Sequence, residues 1–221
     1  MIGFEAIRQR AEQRIGADTL AARLPVVRSA DELRGVADDR YLSLMSRRIF
    51  RAGLKFTLVD GKWPAFEEVF MGFAPTRVAA MPDDALEALM NDRRLIRHWG
   101  KLKAVRANAA ALRHVAAEHG SMGGYLAAWP GTDVVGLWAD LGKRFNQLGG
   151  NSGPYFLRMV GKDTFVFTDA VAKGLQMFDV LDGPPKSKKD RAAAQAAFNI
   201  WAEETGSPLA HLSMTLAAAV D

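Results

Sequence analysis

Apolar residues recur at steps of three and four along most of this chain, so helices are expected almost throughout. Phe4, Ile7, Ala11 and Ile15 share one face of an amino-terminal helix, and Leu20 to Val27 is a looser apolar stretch. Ser29 with Glu32 three residues on spells a capping box ahead of Leu33. Leu42, Met45 and Ile49 set a helix over Tyr41 to Phe50. Trp63-Pro64 opens a short helix through Phe70. Pro82-Asp83-Asp84 opens the next, with acids in the first turn, where the helix dipole favours them. The clearest periodicity runs from Lys101 to His119, through Leu102, Val105, Ala109, Leu112 and Ala116, and Gly120 ends it. Tyr125 to Pro130 with Thr132 and Asp133 reads as a loop before a helix holding Val135, Leu137, Trp138 and Leu141. Tyr155 to Val160, Arg191 to Glu204 and Leu209 to Val220 read as three more helices, and Asp182-Gly183-Pro184-Pro185 as a surface loop. The expected fold is all-α: one domain over residues 1–221, in two lobes with a cleft between them.

One segment interrupts this regularity with chemistry. Leu148-Gly149-Gly150-Asn151-Ser152-Gly153-Pro154-Tyr155 reads as a tight glycine hairpin opening a helix. Glycines allow close backbone approach and expose main-chain N–H groups, which hold a phosphate without a basic side chain. Phe165-Val166-Phe167-Thr168 then reads as a strand-like run delivering Asp169 to the start of another helix. Two bland readings compete: an ordinary tight turn, and a helix cap formed by Thr168 and Asp169.

The hairpin, its spacing and Asp169 resemble the helix-hairpin-helix DNA glycosylase superfamily, with its Gly/Pro-rich loop and catalytic aspartate. A second block is similar to one branch, the 3-methyladenine-DNA glycosylase I family. It comprises Ala52-Gly53-Leu54-Lys55-Phe56, Phe73-Ala74-Pro75-Thr76-Arg77-Val78-Ala79-Ala80-Met81 and Leu95-Ile96-Arg97-His98-Trp99-Gly100-Lys101. The resemblance covers about Met45 to Gly161. It implies that Asp169 is catalytic and that Gly149, Gly150, Asn151, Ser152 and Gly153 contact DNA. Gly53 and Leu54 become the intruders that fill the space left by a flipped base. Arg97 and Lys101 join the DNA contacts, and Arg48, Phe56, Tyr41 and Tyr155 form the base pocket. Lyase members place a lysine just inside the hairpin, where this chain has Asn151 or Ser152, so a nicking activity is not expected.

The departures carry as much information. That branch binds zinc through cysteines and histidines, whereas this chain has no cysteine and four scattered histidines, His98, His114, His119 and His211. No zinc and no other cofactor is expected, beyond a monovalent cation held by hairpin carbonyls. The branch reads its cationic base with a glutamate four residues before Ala-Gly-Leu; that position here is Arg48. A cation repels a cationic base. Members of the branch generally lack the superfamily aspartate, and this chain carries Asp169.

Charge and composition narrow the picture further. The formal net charge is +4. The basic residues cluster at Arg47, Arg48 and Arg51, at Arg93, Arg94, Arg97, Lys101 and Lys103, and at Lys186, Lys188, Lys189 and Arg191. Such clusters either contact successive phosphates or are solvated helix faces. No apolar run is long enough to span a membrane, and residues 1–14 lack the order of a signal peptide. The combined expectation is a cytoplasmic, monomeric, monofunctional DNA glycosylase acting on duplex DNA. The alternative is a DNA-binding protein of the same fold without that activity.

Overall fold

The structure is a computed structural model, and it describes residues 2–220. Among these, fourteen α-helices and three short 3-10 turns account for the regular structure, and there is no strand. The helices are α1 (Phe4–Ile15), α2 (Ala17–Arg23), α3 (Ala30–Arg34), α4 (Asp38–Arg51), α5 (Phe56–Val69), α6 (Pro75–Ala79) and α7 (Asp83–Ala88). They continue with α8 (Trp99–His119), α9 (Met122–Ala128), α10 (Val134–Arg144), α11 (Ser152–Val160), α12 (Asp169–Met177), α13 (Lys188–Thr205) and α14 (Leu209–Ala218). No helix is long and apolar enough to cross a membrane among the described residues. The chain divides into two compact units: Ser29–Trp129 with Trp138–Val160, and Met1–Arg28 with Pro130–Leu137 and Gly161–Asp221.

In the first of these units α4 packs against α5, α8 and α11. Its acids, Asp38 and Asp39, sit in the first turn and its arginines, Arg48 and Arg51, in the last, matching the helix dipole at both ends. Tyr41, Leu42, Met45, Ile49 and Phe50 form its buried stripe. An aromatic cluster continues the core. Trp63 stacks on Phe66 and Phe73 with ring centroids 4.9 and 5.5 Å apart, and Phe50 meets Phe66 edge-on at 4.6 Å. The indole N–H donates to Ser43 Oγ at 3.0 Å, so its polar end is not left dry.

Three local expectations need correction. The helix expected to open at Trp63-Pro64 begins at Phe56, and Pro64 lies inside it. The buried face of Val59, Trp63 and Phe66 outweighs the hydrogen bond that proline removes. Tyr125 to Ala128, expected as loop, is helical in α9, where the Ser121 side chain accepts from the Gly124 N–H at 2.9 Å. The run before Asp169 is irregular rather than strand-like. The capping box at Ser29 and Glu32 is present as expected.

The turn between α10 and α11 is held from below by α8. The fully buried Asn108 donates through Nδ2 to the Asn146 carbonyl at 3.0 Å and accepts through Oδ1 from the Asn146 N–H at 2.7 Å. Gln147 Nε2 donates to the Gly100 carbonyl at 3.0 Å. Gly150 takes φ +57°, a conformation that strongly favours glycine, and a Cβ on Gly153 would lie 3.0 Å from the Leu148 carbonyl oxygen.

In the other unit α14 packs against α1, α12 and α13. Side chains satisfy both of its ends. Asp163 accepts from the Leu209 and Ala210 N–H groups at 2.9 and 2.8 Å. Arg10 and Arg14 donate to the Ala219 and Ala218 carbonyls at 2.9 and 3.1 Å. Phe165 stacks on Phe198 at 4.3 Å, and Gly174 lets α12 approach Leu216 so closely that a Cβ there would sit 2.7 Å away.

Asn108→Leu keeps the volume of the side chain and removes both bonds to Asn146. It is expected to lower unfolding stability by about 1–3 kcal/mol, read by urea denaturation. An unchanged midpoint would show that the turn holds without this pin.

Candidate nucleic-acid interface and base site

The hairpin presents free main-chain donors. Gly149 and Gly150 are exposed, and their N–H groups have no hydrogen-bond partner among the described residues. They precede the nine-residue helix α11, whose amino-terminal dipole also favours an anion. Ser152 N–H donates back to the Gly149 carbonyl at 3.2 Å, which tightens the turn. Asn151 is exposed, Ser152 is partly exposed and Gly153 is buried.

Beyond α4, Gly53 adopts φ +79° and the chain turns into α5. Leu54, Phe56 and Leu58 are exposed there, Phe56 by 54%. The loop is anchored by Lys101, which is buried: its Nζ donates to the Phe50 and Ala52 carbonyls at 3.3 and 2.7 Å. It therefore satisfies the carbonyls at the end of α4, and burial holds its pKa below the ordinary lysine value. The expectation that Lys101 contacts phosphate is corrected, because its ammonium is committed to the backbone. His98 caps α8 by accepting from the Lys101 N–H at 3.3 Å, and Arg97 is exposed.

The expected base-pocket residues divide. Tyr41 is fully buried and donates its hydroxyl to the Leu33 carbonyl at 2.7 Å, so it fills the core instead of lining a pocket. Phe56 is exposed and lies under Arg51, whose guanidinium carbon is 4.9 Å from the ring centroid. Arg48 and Tyr155 are brought together, with the Arg48 guanidinium carbon 4.7 Å from the centre of the tyrosine ring. Arg47 and Arg51, its neighbours on α4, both bind Asp60. Arg51 and then Arg47 hold that carboxyl below its usual range.

The basic clusters are less available than the sequence suggested. Arg94 is paired with Asp92 and Glu68, and Lys103 lies 5.2 Å over the Trp99 ring. Arg93, Arg97, Lys186, Lys188, Lys189 and Arg191 are exposed.

Asp169 belongs to the other unit. It is the first residue of α12, and the cap is Thr168, whose hydroxyl accepts from the Val171 N–H at 3.1 Å. The Asp169 carboxylate is exposed and has no hydrogen bond or ion pair among the described residues. The approach to it is firmly held. Phe165 and Val166 are buried, Asp163 caps α14, and Val166 N–H donates to Ser213 Oγ at 3.4 Å. Asp163, ahead of Asp169 in one unit, and Asn108, against the hairpin in the other, each brace their own segment and were not singled out from sequence. No sequence signal marks Asp163, which lies 46 residues before the helix start it caps.

The residues do not fit the zinc site of the resembling branch. There is no cysteine, and no group of three metal-ligating side chains occurs among the described residues. His98 Nδ1 is engaged by a backbone N–H, and His211 Nε2 lies 2.9 Å from the Pro25 carbonyl oxygen.

Residues 34–140 match the methyladenine glycosylase family model. A segment is 39% identical over 61 residues to DNA-3-methyladenine glycosylase 1 of Escherichia coli (strain K12); it covers 28% of this chain and 33% of that enzyme. The fold is similar to that of 3-methyladenine DNA glycosylase I from Staphylococcus aureus, at TM-score 0.53 and 20% identity over 69% of this chain and 91% of that one. It is also similar to 8-oxoguanine glycosylase/lyase from Methanocaldococcus jannaschii, solved in complex with a 15mer DNA containing 8-oxoguanine. That likeness has TM-score 0.55 and 13% identity, over 96% of this chain and 93% of that one. Residues 34–140 thus carry the sequence pattern of the methyladenine glycosylase family model, the chain spans about a third of the length of the curated relative it matches, and its helical fold is similar to that of the solved DNA glycosylases.

Proposed function

We infer that the protein is a monofunctional DNA glycosylase of the cytoplasm, acting as a monomer on duplex DNA. The observation that carries this reading is Asp169. It heads a helix that is already capped by Thr168, so its carboxylate is spent on neither cap nor ion pair. Cleavage breaks the bond from the sugar C1′ to the base nitrogen and leaves cationic character on the sugar. A nearby carboxylate stabilises that charge and orients the attacking water, whose oxygen bonds to C1′ while the base departs with a proton. The unpaired Gly149 and Gly150 N–H groups supply the phosphate contacts. Gly53 and Leu54 stand at an exposed turn from which an apolar side chain can enter a duplex. With no lysine at Asn151 or Ser152, no Schiff base forms there and no strand nicking follows. A monovalent cation on hairpin carbonyls is the one ion this reading accommodates.

A second reading, a DNA-binding protein without glycosylase activity, is favoured by Arg48. A cation stands where the resembling branch uses a carboxylate.

Duplex affinity is expected to fall as salt rises, measured by fluorescence anisotropy. Salt-insensitive affinity, or none at low salt, would contradict the DNA reading. Metal analysis of the purified protein is expected to find no zinc, and one zinc per chain retained through dialysis would overturn that.

Asp169→Asn is expected to keep the fold and most DNA affinity while slowing single-turnover base release by about 10²–10⁴-fold. The amide has the same shape but no full charge to set against the sugar cation, and Thr168 keeps the cap in either case. A variant that releases base at the wild-type rate would leave Asp169 outside the chemistry.

A further inference from the structure

The Arg48 guanidinium lies over the Tyr155 ring, with its carbon 4.7 Å from the centroid. Its Nε is buried and donates to nothing among the described residues. The nearby carboxylate, Asp60, is held by Arg47 and Arg51. Lys101 brings another cation to the same region, and its ammonium donates to the Phe50 and Ala52 carbonyls at the end of α4. Burial lowers the pKa of Arg48, Tyr155 opposes that shift, and Arg51 adds to it. A stacked, partly desolvated arginine with an unused edge costs stability unless something supplies acceptors to it.

The chemistry of that edge is restrictive. Nε is sealed off, so the accessible edge is the outer one, where the two Nη groups form a fork of two parallel donors with no acceptor. Its complement is two acceptors side by side in one plane. On a purine, O6 and N7 of a 6-oxo base make such a pair. Adenine offers an amino donor at position 6, which meets donor with donor. In DNA, 3-methyladenine also carries a positive charge, which the Arg48 guanidinium repels; the free base is neutral and is disfavoured by its amino group alone. Stacking on Tyr155 fixes the plane of the fork, so both acceptors are met together.

We propose that Arg48, oriented by Tyr155, makes this a pocket for neutral 6-oxopurines bound by their O6 and N7 edge, in preference to 3-methyladenine. The proposal rests on the glycosylase reading for base release, but not for base binding.

Two measurements separate them. Free hypoxanthine and 3-methyladenine would be titrated onto the protein and followed by ligand-observed NMR. Base release would be followed from duplexes carrying hypoxanthine and from methylated duplex DNA, with 8-oxoguanine, whose N7 carries a hydrogen, as the 6-oxopurine that should not be preferred. The expected result is a preference for hypoxanthine of about 10- to 100-fold, the range for a good bidentate pair. Arg48→Met keeps the apolar stem and should abolish the preference; Arg48→Glu should reverse it toward 3-methyladenine. Circular dichroism would check that both variants fold, and Arg48→Met carries the test if Arg48→Glu does not. Wild-type preference for 3-methyladenine, or a preference unchanged in Arg48→Met, would overturn the proposal and leave the glycosylase reading standing. Selective binding of hypoxanthine with no base released from any duplex would support the pocket and overturn the enzyme reading.

Discussion

Asn108 spends its whole amide on one residue of another segment, donating to the Asn146 carbonyl and accepting from its N–H. The physical constraint behind this governs the rest of the molecule. Where helices stop, backbone N–H and C=O groups lose their partners and must find others or face water. This chain stops often, with fourteen helices in the described residues, so most of its architecture is decided at helix ends. At several of those ends a long-range side chain takes up the leftover groups, among them Asn108 below the hairpin, Lys101 beneath the Ala52–Leu54 turn, Asp163 at the start of α14 and Arg10 and Arg14 at its close. The Gly149 and Gly150 N–H donors, which have no partner among the described residues, are exposed, where a ligand can reach them.

The same logic places Asp169. Asp163, six residues earlier, is tied to α14, and Phe165 and Val166 are buried between these points. The irregular run is therefore held although it pairs with no strand. Thr168 takes the capping duty, which releases the carboxylate beside it for other work. In an acid-base role a group needs position first and a suitable protonation state second, and the anchoring supplies the first.

Much of this was legible in the sequence, and the failures have physical causes. Periodicity located α4, α8 and the carboxy-terminal helices because each buries a stripe at helical spacing. It missed the start of α5, where Phe56 and Leu58 are exposed and break the stripe, and where Pro64 misdirects the reading. The hairpin was visible through its glycines. Lys101 was misassigned because a lysine on a helix next to other basic residues looks solvent-facing, and only tertiary packing turns it onto the Phe50 and Ala52 carbonyls. Tyr41 was misassigned in the same way, since a hydroxyl in sequence does not reveal that a backbone carbonyl waits for it. Arg48 was legible as an anomaly. Its stacking on Tyr155 was not, because the two residues come from helices far apart in the chain.

The account stands or falls on whether DNA is met by the hairpin and the Gly53-Leu54 turn. Amide hydrogen exchange can read this directly, with and without a duplex carrying an uncleavable abasic-site mimic. Protection is expected at Gly149, Gly150, Asn151 and Gly153 and at Gly53 and Leu54, with little change along α1 and α2. Protection confined to α1 and α2, or none at the hairpin in a complex known to be saturated, would contradict the account.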